Sequence, residues 1–152
     1  MNNNVILMLH VLFGVLCMIG SLWVFVDTMN VSEGNLARIR GVSLIVAVAM
    51  WIAYFIAGYW YIVFYAPDKA IILKGPWPFA HNIFMETKEH LVMMLLLLAT
   101  YLPIAAKGRL ASSLAARSVV LWTSGLVFGL ALVADSFGAI IAMGVKVALL
   151  VK

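Results

Sequence analysis

The sequence predicts an all-α integral membrane protein, a four-helix up-down bundle forming one transmembrane domain over residues 1–152. Three observations predict it. Hydrophobic residues make up 66% of the chain and charged residues 11%, whereas a soluble domain carries roughly a quarter charged residues. The mean hydropathy is +1.12, so a water-soluble fold of this size would lack the polar surface to cover its core. The apolar residues also fall in four runs, each near the ~20 residues that cross a hydrocarbon layer.

The first span covers about 5–26. The N-terminal Met1-Asn2-Asn3-Asn4 has no basic segment, and the run after it exceeds a signal peptide's apolar region, so it is expected to stay as a helix. A polar link from Asp27 to Arg40, with the breakers Asn30, Gly34 and Asn35, leads to a second span over about 42–65. Pro67 ends that span, and Gly75, Pro76, Trp77 and Pro78 forbid a regular helix in the connection. The third span, about 83–106, is unusual. Its charge-free part, Leu91 to Ala106, has only 16 residues, so Met85-Glu86-Thr87-Lys88-Glu89-His90 must be drawn in or lie at the interface. Ionisable groups in a membrane segment mark a candidate functional site. The other reading is an interfacial helix start, with Glu86 and Glu89 favoured by the helix dipole. The fourth span covers about 118–145.

Charge orients the bundle. The loops after the first and third spans hold Arg38, Arg40, Arg109, Arg117 and Lys107. The positive-inside rule places both in the cytoplasm and both termini outside, in the inner membrane of a bacterial or archaeal cell. The basic residues are scattered, which argues against nucleic acid as a partner. The single cysteine, Cys17, excludes an internal disulfide and a dithiol relay. Neither a phosphate loop nor a nucleophile–base arrangement occurs.

At 100° per residue, the first helix gathers Asn3, His10, Gly14, Cys17 and Ser21 on one stripe. The second stacks Ala47, Tyr54, Gly58, Tyr61 and Tyr65. The third gathers Asn82, Glu86, Glu89, His90, Met93 and Thr100, with Lys88 opposite and free to snorkel. The fourth lines up Ser124, Phe128, Ala131, Asp135 and Ala142 beside Gly125-x-x-x-Gly129, a packing signal that serves within one chain or between copies. His10 lies roughly 8 Å inside its helix at 1.5 Å per residue, and His90 lies at a similar depth. With His81, the histidines cluster in one half of the bundle.

Two imidazoles at matched depth on different helices suit axial ligation of a haem b. His10 and His90 are the expected ligands and His81 the reserve. Gly14 and Gly58 would leave room for the porphyrin, Tyr54 and the other tyrosines would line its edge, and Lys88 or loop groups would receive the propionates. A second reading places copper or zinc on His10, His81, His90, Glu86 and Met85. A third is a cofactor-free accessory subunit of a larger membrane complex. Asp135, near the middle of a span, needs a proton or a partner such as Ser21, Ser43 or Tyr54.

His10, Gly14, Gly20 and Trp23 make the opening helix similar to that of the copper-resistance-D-like membrane proteins. The histidine placement resembles small four-helix b-type cytochrome subunits of respiratory complexes. That resemblance implies electron transfer with a quinone or a redox partner protein. All three histidines lie on one side, so at most one bis-histidine haem fits, near the outer face; the four histidines of a two-haem cytochrome are absent, which argues against transmembrane electron transfer by this chain alone.

Overall fold

A computed structural model describes residues 3–151, and among these there are four long helices and no strand. Helix α1 spans Asn3–Met29, α2 Leu36–Lys74, α3 Glu86–Ala105 and α4 Leu114–Leu150, with a π-helical turn, Ala80–Met85, leading into α3. Each of the four is long and apolar enough to cross a membrane. Helix α1 packs on α2 and α4, and α3 packs on the same two, so α1 and α3 face each other across the bundle. The outward faces are apolar. Ile62, Leu97 and Trp122 are each at least 70% exposed, which in water would be costly and against lipid is not.

Local chemistry fixes the turns. Asn35 closes the first: its side-chain oxygen accepts from Ser32 N at 2.9 Å, and its amide donates to the carbonyls of Asp27 and Asn30. Arg38 then grips the Asp27 carboxylate with two bonds of 2.7 and 2.8 Å. At the start of α4, the Ser113 hydroxyl caps the helix by accepting from Ala116 N.

The core follows size rather than polarity. Where α1 meets α2, a Cβ on Gly20 would lie 2.7 Å from Val46 Cγ2, so glycine sets the approach of these helices. Gly125 lets α4 lie against the Phe25 ring, whereas a Cβ on Gly129 would meet no atom within 4 Å. Within the chain, only the first half of that packing signal is used.

The second and fourth helices run further than the expected spans. At 1.5 Å per residue, 39 residues of α2 reach about 58 Å and 37 of α4 about 56 Å, beyond a hydrocarbon core of about 30 Å. Pro67 lies inside α2 and does not end it; the helix continues to Lys74, and the break is confined to Gly75–Pro78. Tertiary contact outweighs the lost backbone hydrogen bond there. Ile72 is fully buried, a Cβ on Gly144 would lie 2.7 Å from Ala80 Cβ, and one on Gly75 would lie 2.5 Å from Ala148 Cβ. Tyr65, Ile72, Met85 and Ile141 form a second apolar cluster there, with Trp77 and Phe84 packed on it.

Candidate functional site

Beneath that cluster lies a cavity of about 660 Å³, to which all four helices contribute. Its walls are apolar and aromatic, with Tyr54, Phe55, Tyr59, Trp60 and Tyr61 all from α2. Gly14, Ala57, Gly58 and Ala131 line it too, and a Cβ on Gly58 would meet no atom within 4 Å. Into this apolar space open His10, Lys88, Glu89 and Asp135. A mostly apolar cavity with a few convergent polar groups, within the roughly 300–1,000 Å³ usual for ligand sites, is the standard form of a small-molecule pocket.

His10 is held in one orientation. Its Nδ1 donates to the carbonyl of Ala53 at 3.0 Å, so α2 fixes the ring of α1. With Nδ1 protonated, Nε2 carries the free lone pair, and among the described residues it has no protein partner. This tether is the one that commonly orients a ligating imidazole.

Lys88 and Asp135 form the other pole. A Cβ on Gly14 would lie 3.6 Å from Asp135 Oδ1, and a Cβ on Gly138 would lie 2.9 Å from Lys88 Nζ. Asp135 and Gly138 are three apart on α4, so the ammonium lies about one helical turn from the carboxylate. The two charges and His10 influence one another electrostatically. Among the described residues, neither charge makes a hydrogen bond or an ion pair within 4.0 Å; the close acid–base contacts are Arg38–Asp27 and His81–Glu86. Asp135 therefore does not bond Ser21, Ser43 or Tyr54. Both serines donate to their own helices, at Met18 O and Ile39 O.

The expected pairing of His10 with His90 is not formed. His90 is exposed, does not line the cavity, and donates from Nδ1 to Glu86 O, one turn back, at 2.8 Å. The inward face runs along Met85 of the π-helical turn and Lys88, Glu89, Val92, Met93 and Leu95 of α3; of the expected polar stripe, Glu89 and Met93 line the cavity and Glu86 and His90 do not. The buried Leu96, Ala99 and Leu102 set this face. Lys88 is thus inside the bundle, not snorkelling on its far side. His81 is buried outside the cavity: Nδ1 shares a 3.0 Å hydrogen bond with the Tyr65 hydroxyl, and Nε2 lies 3.6 Å from Glu86 Oε1.

The remaining expected groups divide in the same way. Gly14, Tyr54, Gly58 and Met85 line the cavity; Glu86 does not. Tyr61 stacks on Tyr65 at a centroid distance of 5.1 Å. Trp60 Nε1 donates to Asn3 Oδ1. Among the described residues, no three His, Cys, Asp or Glu side chains come together as a metal site, so the copper or zinc set is not assembled. Lys88 was discoverable by charge: it is the cation drawn into the third span, and Asp135 is the acid inside the fourth.

Comparison of the chain with protein-family models, with curated protein sequences and with solved structures returns no match.

Proposed function

We propose that this chain is an integral membrane haem b protein of the electron-transfer kind, with His10 as the residue that would hold the haem. The observation that carries this reading is the His10 ring itself. It is anchored through Nδ1 on Ala53 and leaves Nε2 free beside a 660 Å³ apolar cavity. The walls suit a flat macrocycle. The α2 aromatics offer face and edge contacts, and Gly14, Gly58 and Ala131 keep side-chain bulk out of the space. When bound, haem b supplies one-electron exchange. Ala53 would keep the His10 ring in its orientation toward the cavity and the α2 aromatics would exclude water, with Lys88 and Asp135 lining the same space.

The four spans carry the chain across the bilayer. Arg38, Arg40, Arg109 and Arg117 lie at the α1–α2 and α3–α4 connections, which supports a cytoplasmic position for both loops. A reduced-minus-oxidised absorption spectrum of detergent-purified protein tests the reading. A b-type Soret and α band is expected, lost in His10→Gly and restored by added imidazole, while His90→Ala and His81→Ala keep the band. A featureless spectrum from cells with ample haem would overturn it.

A further inference from the structure

The ends of α1 and α3 and the starts of α2 and α4 lie together, since Arg40 of α2 donates from Nε to Ala106 O, just past α3, at 3.2 Å. Five cations collect at this end: Arg38, Arg40, Lys107, Arg109 and Arg117. Among the described residues only Arg38 of these is ion-paired, with the Asp27 carboxylate at 2.7 Å. Glu33 is the one other acid here to balance the remaining four. Two of the four are held against one short segment. Arg40 bonds Ala106 O, and Arg117 donates from Nη2 to Leu110 O at 3.4 Å, so both guanidinium groups sit beside the stretch that carries Lys107 and Arg109. Arg117 Nε is buried with no hydrogen-bond partner among the described residues. A buried N–H without a protein acceptor calls for an ion or a water.

Depth indicates which ion. The exposed rings of Tyr101, Trp23 and Trp122 lie about 6–12 Å from the ends of their helices at 1.5 Å per residue. Exposed aromatic rings of a membrane protein gather at headgroup level, which sets the four cations in the layer of lipid phosphates. A phosphodiester offers two oxygens to the fork of a guanidinium. In a zwitterionic headgroup the neighbouring cations repel the ammonium; a net-negative headgroup has none. We infer that this end of the bundle binds the headgroup phosphate of an anionic phospholipid, with Arg40 and Arg117 as its contacts and Lys107 and Arg109 adding charge. This rests on the four helices spanning a bilayer, and not on haem.

Trp122, five residues from Arg117 and 72% exposed, reports lipid at this end. The full-length chain is reconstituted in phosphatidylcholine vesicles containing brominated phosphatidylglycerol or brominated phosphatidylcholine, and tryptophan quenching is read. Phosphatidylglycerol is expected to quench at the lower mole fraction. Arg40→Gln/Arg117→Gln should cut that preference by about fivefold or more, the contribution of one cation near an anionic surface. Lys107→Gln/Arg109→Gln alters two exposed side chains and reads the same loss of charge if the first pair misfolds. Lys74→Gln/Lys146→Gln, exposed at the opposite end, should leave the preference unchanged. Equal quenching by the two lipids overturns the proposal. So does a preference that either arginine-containing pair retains when folded, or that the lysine pair lowers as far. Inorganic phosphate at constant ionic strength should not restore fluorescence; if it does, the site belongs to free phosphate and the lipid assignment fails. A chain that does not float with the vesicles overturns the spanning reading itself.

Discussion

The facing charges of α3 and α4 make a quantitative prediction that needs no cofactor. Lys88 Nζ lies at Gly138, and Asp135 lies three residues earlier on the same helix. Groups three apart on a helix are separated by about 5–6 Å. At an effective dielectric of about 20, two unit charges about 5.5 Å apart attract by about 3 kcal/mol. Both groups open on the cavity, and water there trims the value toward about 2 kcal/mol. Lys88→Met and Asp135→Asn should each destabilise the bundle, since each removes the attraction that offsets the burial of the other charge. The double variant should cost about 2–3 kcal/mol less than the sum of the two singles. Unfolding by sodium dodecyl sulfate in mixed micelles, followed by circular dichroism, measures all four corners of the cycle. Additive single effects, with a coupling below about 0.5 kcal/mol, would refute the facing arrangement and with it the inward turn of Lys88.

The same substitution should have opposite signs at two glycines. Gly58→Ala meets no neighbour within 4 Å and should raise stability by about 0.5–1 kcal/mol through lower chain entropy. Gly20→Ala puts a Cβ 2.7 Å from the buried, β-branched Val46 and should lose about 1–2 kcal/mol to overpacking; the same titration reads both. Topology is open to thiol labelling on the natural background, since Cys17 is fully buried. Lys74→Cys should react with an impermeant maleimide in intact cells, and Ser32→Cys and Ser112→Cys only after lysis. The reverse pattern would sink the arginine-based orientation.

The four long apolar helices were legible because a run of about 20 apolar residues leaves a helix with no polar face to turn toward water. The ends were not. Nothing local tells that α2 survives Pro67, because the contacts that hold it there, Gly75 on Ala148 and Ala80 on Gly144, join segments about 70 residues apart. The inner faces of α1 and α2 were legible through small residues such as Gly14 and Gly58. On α3 the polar residues divide: Glu89 lines the cavity with Lys88, whereas Glu86 and His90 do not. Glu86 and His90 can face outward near a helix start, where water is close, so their polarity does not force them inside. Ala99 and Leu102 carried the answer, but in a span where both faces are apolar, size is a faint signal.

The π-helical turn at Ala80–Met85 holds one residue more than an α-helix would use for the same rise, and this gives the gene a defined point where the chain can lose a residue. Removing a single codon there, Ile83 for example, would restore ordinary winding and leave the residues on either side in phase. The same deletion inside α3, at Leu91 for example, would turn Lys88 about 100° away from Asp135. A one-residue deletion in the turn should therefore be better tolerated than one in α3.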